Sequence, residues 1–192
     1  KSSGGLENAV LWDIEIHPTN SNIVYVMAKG TDALVWWTQN GGESWSPRGK
    51  GLNTTNAGYA LFTLEIHPTN PQILYCHVGL DGIFKTTDGG ANWSNVLSRS
   101  TPMTRWYNAT NGISSNPHWS ARGLSIDKKN PARVVATGAA EVFESLDNGS
   151  TWKVISSKQR NNDNYWSSKG FSNIFTKSKI AFDPNDKNAI YY

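Results

Sequence analysis

Residues 62–67 alternate between apolar and polar side chains, the two-residue period of a half-buried strand. Pro68, Thr69, Asn70 and Pro71 then turn the chain, and 73–78 reads as an apolar second strand. Leu80, Asp81 and Gly82 turn it again. Residues 83–86 form a third strand, 86–93 a third turn, and 92–97 a fourth strand. The pattern predicts a four-stranded antiparallel meander of about 38 residues, and helical periodicity is nearly absent.

The same phrase returns along the chain. Ile14-Glu15-Ile16-His17-Pro18-Thr19-Asn20 precedes Ile23-Val24-Tyr25-Val26, as Leu64-Glu65-Ile66-His67-Pro68-Thr69-Asn70 precedes Ile73-Leu74-Tyr75-Cys76. Leu124-Ser125-Ile126-Asp127 with Arg133-Val134-Val135-Ala136, and Ile180-Ala181-Phe182-Asp183 with Ala189-Ile190-Tyr191-Tyr192, are further copies. Ile16, Ile66, Ile126 and Phe182 mark one position, at successive steps of 50, 60 and 56 residues. That period belongs to propeller blades rather than helical repeats.

The fold class expected is therefore all-β, a partial β-propeller of four-stranded antiparallel blades. Blade one covers 11–47, blade two 61–98 and blade three 121–156, with the start of a fourth at 178–192. Three and a third blades do not close a ring, which takes about four to eight. The expected partner is the remainder of the propeller, or another chain that completes it. The connections 99–120 and 157–177 are long, and their aromatics argue for order.

A second phrase sits at each third turn: Thr38, Asn40, Gly42 and Trp45; Thr86, Asp88, Gly90 and Trp93; Ser145, Asp147, Gly149 and Trp152. Asp or Asn bonds the backbone two residues on, and Gly takes a positive φ without steric cost. The Trp then folds its ring back under the turn. Burying a Trp removes about 150–250 Å² from water, an upper bound of about 4–6 kcal/mol per copy.

Composition removes several classes of function. The net charge is +3, with 18 Lys and Arg scattered rather than clustered, so a nucleic-acid groove is not expected. No apolar run approaches the ~18 residues of a membrane span. Cys76 is the single cysteine and reads as core filler. Low charge with many Asn, Ser, Thr and Trp suits an extracellular or periplasmic protein. The chain begins at Lys1 rather than Met, so its start is expected to have been removed or to lie outside this piece. Sequons at Asn53, Asn92, Asn108 and Asn148 are as many as this composition gives by chance and decide nothing.

The three turn motifs resemble Asp-boxes, also called bacterial neuraminidase repeats. The whole blade phrase is similar to two groups, the xyloglucan-cleaving glycosidases and the sortilin-type propellers. The resemblance spans 11–98, 121–156 and 178–192. It implies that the turns staple the bottom outer rim of each blade. The implied ligand face is the opposite one, carrying 29–33, 79–82, 138–140 and the two long connections.

On that face Asp32 and Asp81 are the weak candidates for catalytic carboxylates, and Glu141 follows the third loop. Glycosidic hydrolysis needs two carboxyl groups in a fixed pair. The resemblance to xyloglucan-cleaving enzymes makes Asp32, in Lys-Gly-Thr-Asp-Ala, the nearest match to a loop acid, whereas Gly-Leu-Asp-Gly around Asp81 is also an ordinary turn. The arginine pattern that a sialidase implies is absent.

Trp36, Phe84 and Phe143 share a core position in the third strand. Trp37 aligns with Lys85 and Glu144, so alternation assigns it to a solvated face. Trp37, Trp106, Tyr107, Trp119, Tyr165 and Trp166 are the candidate platforms for sugar rings or anchors for a protein; the alternative is that they cover blade edges. His17 and His67 stand where Asp127 and Asp183 stand later, one blade apart, too far for a shared ion. No metal and no cofactor is expected.

The function expected is a non-catalytic binding or assembly module for a polysaccharide or protein ligand. The alternatives are the N-terminal part of a xyloglucanase-like hydrolase and a structural subunit of a surface assembly.

Overall fold

The alternating runs pair as antiparallel neighbours in chain order. The computed structural model describes residues 6–29, 31–52, 62–79, 81–98, 104–105, 123–137, 141–157, 180–183 and 190–191, among which no helix occurs. The first sheet is β1 (Val10–Ile16), β2 (Val24–Lys29), β3 (Val35–Thr38) and β4 (Ser46–Pro47). The second is β5 (Phe62–Ile66), β6 (Leu74–Val78), β7 (Gly82–Thr86) and β8 (Ser94–Leu97). After β9 (Thr104–Arg105) the third sheet follows, made of β10 (Gly123–Ile126), β11 (Val134–Thr137), β12 (Glu141–Ser145) and β13 (Lys153–Ser157). A last pair joins β14 (Ala181–Phe182) to β15 (Ile190–Tyr191).

Register repeats with the sequence. Ile16 faces Val24, Ile66 faces Leu74, Ile126 faces Val134 and Phe182 faces Ile190. In the first three sheets the turn after the first strand is held by one side chain. Nδ1 of His67 accepts from the backbone N–H of Thr69 (3.3 Å) and of Asn70 (3.0 Å). In the third sheet Oδ1 of Asp127 accepts from Lys129 (2.9 Å) and Asn130 (3.2 Å). His in the first two sheets and Asp in the third serve this site alike because either one supplies an acceptor at that reach. His17 does the same toward Thr19.

Both faces of the second sheet are buried. Tyr25, Met27 and Val35 of the first sheet pack on Leu64, Ile66, Leu74, Cys76, Phe84 and Trp93 of the second. On its other side Tyr75, Ile83 and Leu97 pack on Leu124, Ile126, Val134, Ala136, Phe143 and Trp152 of the third. Burial pushes the Cys76 thiol well above its ordinary value, which leaves it an inert space-filler.

Trp37 departs from the expected solvated face. It is half-buried against the core between the first two sheets, stacked on Tyr25 at 6.1 Å with the Arg48 guanidinium 3.7 Å over its ring. In stacked sheets, alternation selects which neighbour a residue meets rather than core against water. The equivalent Lys85 donates to the backbone oxygen of Asn148 in the third sheet (2.7 Å). The equivalent Glu144 is buried and joins Arg133 Nε and Lys153 Nζ, each at 2.7 Å. Arg133 also approaches Asp127 (3.7 Å) and lies over the Phe182 ring at 5.2 Å.

Candidate functional site

The strand connections leave the sheets at two opposite edges. One edge carries the turn after each first strand and the turn after each third strand. The other carries the β2–β3, β6–β7 and β11–β12 connections and the passages between sheets.

At the first edge three turns are built alike. Thr86 Oγ1 donates to Asp88 Oδ1 (2.7 Å) and accepts from Gly90 N (3.0 Å); Asp88 Oδ1 accepts from Asn92 N (2.9 Å). Ser145 Oγ donates to Asp147 (2.7 Å) and accepts from Gly149 N (2.7 Å), and Asp147 accepts from Thr151 N (2.8 Å). Thr38 Oγ1 donates to Asn40 (2.7 Å) and accepts from Gly42 N (3.0 Å), with Ser44 N completing the ring at 3.0 Å.

Gly42, Gly90 and Gly149 have φ of 90°, 85° and 79°, which glycine adopts freely. A Cβ on each would lie 3.6, 3.6 and 3.7 Å from Cζ2 of Trp45, Trp93 and Trp152, so each indole doubles back beneath its own turn.

Asn92 donates to Asp88 from its side chain and its backbone, and with Thr86 it brings that carboxyl down to about 2. Burial opposes the same change at Asp147, but hydrogen bonds from Thr151, Ser145 and Ser150 outweigh it and hold that group at about 2 as well. These carboxylates are ionised acceptors whose lone pairs already serve the turn.

At the opposite edge, Asp32 is exposed on the β2–β3 connection. The Trp36 indole steadies that connection by donating to Ala33 O (3.0 Å) and Thr31 Oγ1 (3.2 Å). Asp81 is half-buried on the β6–β7 connection; its N–H donates to Val78 O (2.8 Å) and its carbonyl accepts from Asn95 Nδ2 (2.8 Å). The two aspartates thus share an edge on neighbouring sheets. Trp37 does not join them, and both Arg48 and Tyr25 occupy its ring. Trp106, Tyr107, Trp119, Tyr165 and Trp166 lie outside the described residues, as do 138–140. Among the described residues no cluster of His, Cys, Asp or Glu suited to a metal ion occurs, and no helix is long and apolar enough to cross a membrane.

Several contacts between sheets were not expected from the sequence. Tyr75 Oη donates to the backbone oxygen of Asn148, in the turn of the next sheet, at 2.7 Å. A Cβ at Gly89 would lie 3.3 Å from Tyr25 Oη, so Tyr25 reaches the equivalent turn of the second sheet. Asp13 Oδ2 accepts from Leu64 N (3.0 Å). The identical register of Tyr25 and Tyr75 was the available signal.

No family profile matches the sequence, and no curated protein matches it. Among solved structures, an ancestral GH74 enzyme aligns over 98% of this chain and 22% of its own, at 19% identity and a TM-score of 0.65. The fold is that of a β-propeller. YCF48 from Cyanidioschyzon merolae aligns over 92% of this chain and 48% of its own, at 18% identity and a TM-score of 0.51. This chain thus spans less than half the length of either structure. The three larger sheets, each with a four-stranded antiparallel meander, are blades one, two and three, and β14 with β15 begins a fourth.

Proposed function

We propose that the chain is Asp-box propeller sequence acting outside the cytoplasm as a non-catalytic binding or assembly module for a protein or glycan. The supporting observation is the division of labour between the two edges. At one edge the repeat residues are used up in holding turns, with Asp88 and Asp147 engaged by Asn92 and Thr151. The other edge carries connections that differ from blade to blade, mounted on rigid sheets. Rigid elements presenting variable loops suit recognition. On this reading Trp106, Tyr107, Trp119, Tyr165 and Trp166 supply the flat surfaces, and Trp37 serves the blade interface instead.

A second reading, the N-terminal part of a xyloglucanase-like hydrolase, draws on the exposed Asp32 in a fold shared with a GH74 enzyme. Retardation of the protein in gels containing soluble β-glucan, and capture of protein ligands, test the first. Trp106→Ala, Trp119→Ala and Trp166→Ala are expected to weaken retention or capture by about tenfold or more, with the thermal midpoint unchanged. Release of reducing sugar that disappears in Asp32→Asn or Asp81→Asn decides for the hydrolase.

A further inference from the structure

Blades two and three place an aspartate at the acceptor of the third turn, whereas blade one places Asn40 there, followed by Gly41. The three rings of hydrogen bonds differ at one atom. Oδ1 of Asn40 accepts from Thr38 Oγ1 (2.7 Å) and Ser44 N (3.0 Å), as Oδ1 of Asp88 and of Asp147 accepts from the equivalent groups. The second oxygen of Asp88 accepts from Asn92 Nδ2 (2.8 Å), and that of Asp147 from Thr151 Oγ1 (2.5 Å). In blade one the second atom is a nitrogen, Nδ2, which donates to Ser44 Oγ at 2.9 Å. A hydroxyl both donates and accepts, so Ser44 meets an oxygen in that seat by turning its proton.

An asparagine before a glycine reacts readily with its own backbone, because no side chain on the glycine hinders the approach. The Gly41 nitrogen attacks Asn40 Cγ. The N–Cγ bond forms, the Cγ–Nδ2 bond breaks, and ammonia leaves with the Gly41 amide proton. Water then opens the five-membered imide. Attack at Cγ restores the main chain and leaves aspartate, whereas attack at the main-chain carbonyl leaves isoaspartate, with one extra atom in the backbone. Nothing is oxidised or reduced.

We propose that Asn40 is a self-modification site, at which loss of ammonia installs the aspartate that blades two and three already carry. One comparison selects the position. Among the described residues Asn148 also precedes a glycine, but Gly149 is buried, its N–H is held by Ser145 Oγ at 2.7 Å, and the Asn148 side chain is bonded to His67. Asn40 and Gly41 are exposed, and the Gly41 N–H donates to the backbone oxygen of Asn22, itself exposed, at 2.9 Å. A local opening of that corner releases the nitrogen. The two donors on Oδ1 select the product. Negative charge collects on that oxygen when Cγ is attacked, and Thr38 Oγ1 and Ser44 N already point at it. They favour ring opening at Cγ, and therefore aspartate. Charge-assisted bonds, about twice as strong as neutral ones, then hold the product. The inference stands independently of the ligand-binding reading.

The test is to age the 192-residue chain at about pH 8, folded and in urea, and to map peptides with aspartate resolved from isoaspartate. In the folded chain, conversion at Asn40 is expected to outpace that at Asn148 by about tenfold or more and to give aspartate in excess. In urea both sites are expected to react alike, with isoaspartate in excess. Asn40→Asp is expected to raise the thermal midpoint by about 2–4 °C near pH 7, a gain that is lost as the carboxylate is protonated in acid. Isoaspartate as the main folded-state product overturns the inference. So does an Asn40 that stays intact in the folded chain or reacts no faster than Asn148, and so does a lowered midpoint in Asn40→Asp.

Discussion

Trp45 and Trp93 occupy one position in one motif, and each folds its ring under its own glycine at the same 3.6 Å. Trp93 is 6% exposed and donates to two carbonyls, Gly90 O in its own turn and Arg48 O from the blade before. Trp45 is half-buried and has neither bond among the described residues. The local motif therefore sets the shape of the turn, and the neighbouring blade sets how much that shape stabilises. A repeat protein distributes its stability over interfaces as well as units.

The largest effect that would sharpen this contrast is at the indoles. Trp93→Ala is expected to cost about 3–5 kcal/mol and Trp45→Ala about half as much, measured by denaturant unfolding. Equal losses would mean that the motif alone carries the energy. The inner strands give the same contrast with less area. Leu64→Ala is expected to cost about 2–5 kcal/mol, and Ile14→Ala about 0.5 kcal/mol or less.

A smaller effect concerns the tyrosine that joins two blades. Tyr75→Phe removes one hydrogen bond and keeps the ring, for an expected cost of about 1 kcal/mol. Lys85 still satisfies the Asn148 oxygen. No measurable change would mean that the ring alone makes the joint.

The smallest effect is read in pH. Burial, with Lys85 nearby, lowers the His67 value below its ordinary 6.5, against a bond to Asn148 that raises it. Its neutral ring accepts the turn N–H groups, so its contribution is full above pH 6.5 and is lost as pH falls through the lowered folded value. Asp88 and Asp147 stand at about 2 against an ordinary 3.8, so theirs is full above pH 3.8 and lost as pH falls toward 2. His67→Asp, which installs the acceptor blade three uses, is expected to abolish the step below pH 6.5 and keep the more acidic one. A thermal-midpoint profile against pH checks both.

Much of the architecture was legible because it repeats. The fourfold phrase ending at Ile16, Ile66, Ile126 and Phe182 gave strand order and register, and turn chemistry gave the corners. What a two-residue period cannot encode is the identity of the neighbour on each face. For that reason Trp37 was assigned to solvent while Arg48 lies over its ring, and the pair Glu144–Arg133 was not foreseen. The candidate site was legible to a lesser degree. Asp32 and Asp81 share an edge because both follow a second strand, a matter of topology. The connections along that edge differ in sequence from blade to blade, and no repeat rule governs them.

The bond from Trp93 to Arg48 O and the close approach of Gly51 to Trp93 O run in one direction, from the chain leaving one unit to the rim of the next. The units consequently overlap as roof tiles do, each course holding down the one after it. Stripping the amino-terminal course would loosen its successor, whereas stripping the carboxyl-terminal one would leave its predecessor's fastening in place. The molecule therefore has a grain, and it should unravel more readily from one end than from the other.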